Sequence, residues 1–294
     1  MSVMECKGLV KTYGRQKALN DLSISLGENK ITGLIGRNGA GKTTLLKIMA
    51  GFIRETSGEI RVLSEKPFNS LKVSANTIYI DDEMSFSPYL NLGEILDVMG
   101  SFYQNWDKDI AKRLFSYFAF NPNQHHASLS KGMKSTFNMI VGLAARCPLT
   151  ILDEPTTGMD AAVRKDFYRA LLKDYIAYPR TIILSSHLLT EIEDLLEDVL
   201  LIKEGGKCLH LPLVDLQHYA VGLTGKTDLL KQYVPEESIL YRKEVGMDST
   251  YAVVKNESHE PEWMGEFQIS SVSTEDLCVY LTNQTTGGID DVFS

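Results

Sequence analysis

Apolar residues form short runs through the first 80 positions, and each run has the length of a β-strand. The predicted strands are Val3–Val10, Leu22–Leu26, Ile31–Ile35, Glu59–Val62 and Thr77–Ile80. Between about residues 90 and 145 the apolar positions instead recur every three or four residues, which predicts helices.

Strands and helices alternate again after residue 148. The pattern predicts strands at Leu149–Leu152, Thr181–Leu184 and Val199–Ile202, with helices across Asp160–Tyr175 and after His187. Such alternation is typical of a mainly parallel sheet flanked by helices. We therefore predict an α/β fold, with the all-helical stretch, about residues 84–147, inserted as a separate subdomain.

The pattern changes once more near residue 211. Residues 211–294 contain 5 Lys and Arg against 14 Asp and Glu, so they carry the acidity of a chain whose net charge is −8. A β-hairpin is predicted from Ile239–Val245 and Thr250–Lys255, and Ser273 is predicted to cap a last helix. We expect two units, residues 1–210 and a small α+β extension over residues 211–294.

Composition excludes several classes of protein. No run approaches the roughly 18 apolar residues of a membrane-spanning helix, and no N-terminal signal peptide is evident. The cysteines are scattered, without a CxxC pair, which favours free thiols over a metal site or a disulfide framework. No basic stripe indicates a nucleic-acid partner, and we expect none.

A glycine-rich octapeptide follows the predicted strand Ile31–Ile35 and precedes a helical pattern. It reads Gly36-Arg37-Asn38-Gly39-Ala40-Gly41-Lys42-Thr43. The setting between strand and helix favours a phosphate-binding loop over a chance match. Its glycines let backbone N–H groups turn toward phosphates, Lys42 would reach the β- and γ-phosphates, and the Thr43 hydroxyl would bind Mg²⁺. Thr44 is a weaker candidate for a further phosphate contact.

Two carboxylates end the predicted strand Leu149–Leu152. Taken alone, Asp153 and Glu154 could simply begin a loop before Pro155. After a phosphate-binding loop, Asp153 suits a water-mediated hold on Mg²⁺, and Glu154 suits polarisation of the attacking water.

A third motif, Leu129-Ser130-Lys131-Gly132-Met133, opens a predicted helix. By itself it indicates a helix cap, with the Ser130 hydroxyl accepting from an N–H of the first turn. Together with the two motifs above, it indicates an anion site directed at a γ-phosphate.

In this order the motifs resemble the ATP-binding subunit of an ATP-binding-cassette (ABC) transporter, over roughly residues 1–210. The resemblance implies a P-loop NTPase core with an N-terminal antiparallel β subdomain and an inserted helical subdomain. Tyr13 matches the aromatic residue that stacks on adenine, and His187 matches the switch histidine at the γ-phosphate. Ser130 and Gly132 match signature residues that touch the γ-phosphate bound by the opposite subunit. Thr157–Asp160 matches the loop that links the two sites across the dimer.

The chain departs from that family at two places. Its signature is LSKGM where the usual form is LSGGQ, so Lys131 and Met133 replace a glycine and a glutamine. The glutamine expected after Thr77–Ile80, a Mg²⁺ contact, is also missing. We predict that Asp82 takes its place, with Asp81 and Glu83 as close rivals.

The resemblance implies an ATPase that uses ATP and Mg²⁺, pairs with a second ATP-binding subunit, and powers a separately encoded integral membrane permease, as an exporter. We therefore expect a cytoplasmic protein, peripheral on the inner face of the membrane. The main alternative is a soluble ABC-class ATPase that acts as a mechanical switch. A small-molecule kinase and an ATP-sensing module without turnover are weaker alternatives.

Two segments keep open alternatives. The apolar stretch Phe86–Leu92 fits either a permease docking site or ordinary core packing. Residues 211–294 resemble acidic extensions of ATPases in small bacterial export systems, and they could pair subunits, regulate hydrolysis or cap the fold.

Overall fold

The computed structural model describes residues 2–256 and 265–283. The chain divides into two compact units, Met1–Leu209 and His210–Ser294. Among the described residues, no helix combines the length and apolar character needed to cross a membrane.

The first unit contains every strand predicted before residue 211. Its strands are β1 (Ser2–Tyr13), β2 (Gln16–Gly27), β3 (Ile31–Ile35), β4 (Ser57–Val62), β5 (Thr77–Ile80), β6 (Leu149–Asp153), β7 (Thr181–Ser186), β8 (Asp198–Lys203) and β9 (Gly206–Pro212), the last of which runs past the end of the unit. Its α-helices are α1 (Lys42–Met49), α2 (Leu71–Asn76), α3 (Leu92–Phe102), α4 (Lys108–Tyr117), α5 (Lys131–Ala145) and α6 (Ala161–Ala177).

The N-terminal strands form a small antiparallel sheet, as predicted, in the order β2-β1-β4. The second half of β2 alternates strictly, with Leu22, Ile24 and Leu26 buried and the serines between them exposed. This period of two is typical of an antiparallel strand with one face on the core and one in water.

The main sheet has the order β5-β6-β7-β3-β8-β9, and its β5-β6, β6-β7, β7-β3 and β3-β8 pairs are parallel. Strands β3, β5, β6 and β7 are buried at every position, as expected for parallel strands covered on both faces. Asp153 pairs with Ser185 in register, and Ile35 pairs with Ser186. The segments that follow these strands therefore meet at one edge of the sheet.

Helices α3 to α5 lie between β5 and β6 in the chain, as the periodicity predicts. Phe137 on α5 is fully buried and centres an aromatic cluster. The rings around it are Phe86, Phe115, Phe120 and His126. Phe86, which is half-buried, thus packs against the core of the helical segment, whereas Tyr89 in the same stretch is 89% exposed.

The segment after His187 differs from the predicted helix. It forms two 3₁₀ turns, Leu189–Glu191 and Glu193–Leu195. The buried residues Leu189, Ile192 and Leu195 are spaced three apart. That spacing stacks side chains on a 3₁₀ helix, which has three residues per turn, and so the short segment follows the tighter form.

The second unit is an antiparallel sheet in the order β11-β12-β10-β13. Its elements are α7 (Leu213–Gln217), β10 (Ala220–Lys226), α8 (Thr227–Tyr233), β11 (Ile239–Glu244), β12 (Ser249–Lys255), β13 (Gln268–Ser271) and α9 (Thr274–Thr282). The predicted hairpin is the β11–β12 pair. The predicted cap is also confirmed, because the Asp276 N–H donates to Ser273 Oγ at 3.0 Å.

Candidate ATP site

The glycine-rich loop joins β3 to α1, as its sequence setting predicts. Gly41 precedes the helix at φ +104°, a conformation that side chains rarely adopt. A Cβ on Gly41 would also lie 2.4 Å from the Ala18 carbonyl oxygen. No side chain caps the start of α1, so its first N–H groups are available to an anion.

A cavity of about 320 Å³ lies over this loop. Its walls include most of the predicted nucleotide contacts: Tyr13, Asn38, Gly39, Gly41, Lys42, Thr43 and Thr44. Tyr13 is half exposed, so its ring is accessible for stacking against an adenine base. Lys42 is buried, and its Nζ donates to the Gly36 carbonyl at 2.7 Å. The arrangement offers a cation and free backbone N–H groups at one place, which suits a polyphosphate.

Asp153 ends β6 as a buried carboxylate, 5% exposed. Its oxygens accept from two hydroxyls, Ser185 Oγ at 2.6 Å and Tyr79 Oη at 2.9 Å. Burial, reinforced by the Asp153 charge, raises the pKa of Tyr79 and keeps that hydroxyl a donor. In the described part of the chain no Lys or Arg pairs with Asp153. A buried carboxylate that lacks a cationic partner fits a divalent cation, with Thr43 lining the adjacent cavity.

Glu154 connects the phosphate-binding loop to the predicted switch histidine. Its Oε1 lies 3.5 Å from Lys42 Nζ, and its Oε2 lies 2.8 Å from His187 Nδ1. Oε1 is fully buried and accepts no hydrogen bond. The backbone of Glu154 adopts φ +48°, and its N–H donates to Ser185 Oγ at 2.9 Å. The carboxylate is therefore held at the cavity wall, with Oε1 in an ion pair with Lys42 but accepting no hydrogen bond.

Ser130 and Gly132 do not line this cavity. Ser130 is the N-cap of α5, and the Met133 N–H donates to its Oγ at 3.3 Å. A Cβ on Gly132 would lie 2.3 Å from the Gly158 carbonyl oxygen, so the start of α5 is seated closely on the loop before α6. The signature turn is thus well formed but separate from the phosphate-binding loop of its own chain.

The metal role of Asp82 stays a prediction. In the structure its carboxylate has a cationic side chain as its neighbour. Asp82 Oδ2 lies 2.9 Å from Lys131 Nζ. Its rival Glu83 lies 3.7 Å from Lys47. Burial raises the pKa of Asp81; Lys47 opposes the shift, whereas Glu83 and Asp153 add to it.

Sequence reasoning missed two residues of the site, Tyr79 and Ser185. Both lie at the ends of strands that flank β6, and their hydroxyls meet on Asp153. Ser185 stands two residues before His187, so its position beside the predicted switch histidine was a usable signal. Tyr79 carried none, because a tyrosine in an apolar strand usually indicates packing.

Comparison with known proteins agrees with this geometry. The ABC transporter family model matches residues 19–157, which excludes Tyr13 and His187, and a model described as an AAA domain matches residues 123–193. The chain is 25% identical over 268 residues to the ABC transporter ATP-binding protein YtrB of Bacillus subtilis (strain 168), a match that covers 90% of this chain and 91% of that protein. It is 31% identical over 222 residues to the bacitracin transport ATP-binding protein BcrA of Bacillus licheniformis, a match that covers 74% of this chain and 72% of that protein.

Solved structures show the same fold. An ATP-binding subunit of an ABC transporter superposes with a TM-score of 0.65 at 24% identity, over 74% of this chain and 92% of that one. A dimeric ATP-binding cassette in a post-hydrolysis state, bound to ADP and Pi, superposes with a TM-score of 0.62 at 19% identity, over 71% of this chain and 98% of that one. The chain therefore belongs to the ABC transporter family and is one of its ATP-binding, ATP-hydrolysing proteins.

Proposed function

We propose that this protein hydrolyses ATP in a composite site, formed when it pairs head to tail with a second ATP-binding subunit. The observation that carries the proposal is the position of Glu154, between Lys42 and His187, with Oε1 buried and accepting no hydrogen bond. A carboxylate oxygen in that state is suited to accept a hydrogen bond from the attacking water.

The residues around Glu154 supply the other parts of phosphoryl transfer. Lys42 and the N–H groups at the start of α1 would hold the β- and γ-phosphates, and His187 would contact the γ-phosphate. Thr43 and Asp153 would hold Mg²⁺, which when bound neutralises phosphate charge. Tyr13, at the mouth of the cavity, would stack on the adenine.

The second half of the site would come from the partner. Ser130 and Gly132 lie outside the cavity of their own chain, on a helix N-terminus without an acidic residue in its first turn. That terminus carries a partial positive charge and can meet the γ-phosphate held by the other subunit.

We further propose that closing of the pair drives a separately encoded membrane permease, in the direction of export. BcrA, named for bacitracin transport, is a relative of this chain. In the described residues no helix can span a membrane, so the path of the substrate would belong to a partner. Tyr89 is exposed in the stretch that resembles the family's permease-docking segment, and docking there would place the protein on the inner face of the membrane.

The second unit, residues 210–294, has two candidate roles. The match to YtrB covers 90% of this chain, so it reaches into residues 210–294. We propose that this acidic unit pairs subunits or regulates hydrolysis.

The sandwich is tested with Glu154→Gln, which keeps the size of the side chain but removes its negative charge. With millimolar MgATP this variant should form a stable dimer by light scattering, and it should hydrolyse ATP at least a hundredfold more slowly than the unchanged chain. Lys42→Ala in the same background is the control, because it removes the cation at the phosphates and should keep the protein monomeric. A Glu154→Gln chain that stays monomeric with ATP would refute the composite site.

Co-purification with an integral membrane protein on co-expression tests the permease, and a stable complex with no membrane protein would favour the mechanical-switch alternative.

A further inference from the structure

The two departures from the family pattern meet in space. Lys131 stands where the signature normally has glycine, and Asp82 stands where the family normally has glutamine after β5. Their charged atoms lie 2.9 Å apart. We propose that Asp82 is a positioning residue that holds Lys131, and with it the signature turn, instead of a metal ligand. The inference rests on the composite ATP site proposed above.

The turn is fixed on one side by close packing. The Gly132 backbone lies against Gly158, and Ser135 Oγ donates to the Thr157 carbonyl at 2.8 Å. The Lys131 side chain also lies over Gly158, because a Cβ there would be 3.1 Å from Lys131 Cγ. These contacts join the start of α5 to the loop before α6.

The ion pair fixes the turn on a second side. Asp82 follows β5, whose Ile80 pairs in register with Leu152, the residue before Asp153. Through Asp82 the signature turn is therefore tied to the sheet edge that carries the catalytic carboxylates. Within the described residues each of the two charges has the other as its ion-pair partner.

The same geometry argues against a metal role for Asp82. Its carboxylate already neutralises Lys131, and its side chain is 39% exposed. Asp81, the acid next to it in the chain, is less exposed than Asp82.

The ion pair between Asp82 and Lys131 is exposed to solvent, so it can be removed without unfolding the chain. The Lys131 side chain is 60% exposed, and exposed ion pairs contribute little free energy. Its loss should therefore change the placement of the turn without unfolding the chain. The expected effect is a rise of about two- to fivefold in the ATP concentration that half-saturates dimer formation.

The test is a double-mutant cycle in the Glu154→Gln background, with Asp82→Asn, Lys131→Gln and the two combined. Asp82→Asn should raise the half-saturating ATP concentration in the chain with Lys131 and have no further effect in the chain with Gln at 131. Glu83→Gln is the matched control, because it removes a neighbouring acid whose ion pair does not reach the signature turn, and it should change nothing.

A second measurement separates positioning from metal binding. Binding of a fluorescent ATP analogue to the monomer is titrated with Mg²⁺. The Mg²⁺ midpoint should stay unchanged in Asp82→Asn and rise at least threefold in Asp153→Asn. A midpoint that rises in Asp82→Asn, or an Asp82→Asn effect that persists with Gln at 131, would overturn the proposal. Failure of Glu154→Gln itself to dimerise would count against the composite site, while the Mg²⁺ titration would still decide the role of Asp82.

Discussion

Ser185 joins the Asp153 carboxylate to the Glu154 backbone through a single hydroxyl, and its removal should damage both stability and catalysis. Its Oγ donates to Asp153 at 2.6 Å and accepts from the Glu154 N–H at 2.9 Å. Ser185→Ala leaves a buried carboxylate oxygen and a partly buried N–H without these partners. A hydrogen bond to a charged group contributes about 1.5–3 kcal/mol, and an unsatisfied buried group costs about 1–3 kcal/mol. We therefore expect a loss of about 3 kcal/mol in the free energy of unfolding.

Catalysis should fall by a separate route. The backbone of Glu154 adopts φ +48°, a conformation that its surroundings must maintain. Without the bond to Ser185 the carboxylate moves relative to Lys42 and His187. Because a displacement of about 1 Å can cost roughly a hundredfold in rate, kcat should fall at least tenfold.

The assay is urea unfolding followed by tryptophan fluorescence, together with phosphate release. The sequence has tryptophans at 106 and 263, so a Trp263→Phe background makes the signal report Trp106 in the first unit. The matched control is Thr32→Val on the neighbouring strand β3, since the Thr32 hydroxyl is buried without a hydrogen-bond partner. The control should lose no stability. If Ser185→Ala unfolds at the same urea concentration as Thr32→Val and keeps its kcat, the hydroxyl does not hold the carboxylates.

Two further predictions concern the helical segment. Burial lowers the pKa of His126, so below about pH 6.5 the unfolded chain binds more protons than the folded chain, and stability should fall as pH decreases from 7 toward the folded pKa. Urea unfolding of His126→Gln should lack this pH-dependent loss of stability. A pH profile of stability that the substitution leaves unchanged would refute the prediction. Gly132→Ala places a Cβ 2.3 Å from the Gly158 carbonyl oxygen and should lower the ATPase rate at least tenfold by displacing the signature turn, whereas Gly246→Ala, which meets nothing within 4 Å, should leave the rate unchanged.

Features set by near neighbours in the chain were predictable. The strand–loop–helix order around the phosphate-binding loop and the caps at Ser130 and Ser273 follow from residues a few positions apart. The 3₁₀ turns after His187 were predicted as a helix, because both forms bury apolar residues three or four apart. The choice between an α-helix and a 3₁₀ helix depended on the small number of residues available in this segment.

Features that join distant segments were not predictable in the same way. Tyr79 and Asp153 are 74 positions apart, and their hydrogen bond exists because β5 and β6 pair in one register. A shift of that register by one residue would turn the Tyr79 side chain to the other face of the sheet. The sequence indicated that an acid replaces a glutamine after β5 and favoured Asp82, with Asp81 and Glu83 as close rivals.

The sequence by itself determined that this protein binds and hydrolyses ATP, because each motif is a short segment whose chemistry follows from adjacent residues. Only the tertiary structure decided how the motifs are connected. It placed Glu154 between Lys42 and His187, and it paired Asp82 with Lys131. The physical reason is that backbone conformation and helix capping are local, whereas the partner of a charged side chain is set by how distant strands and helices pack.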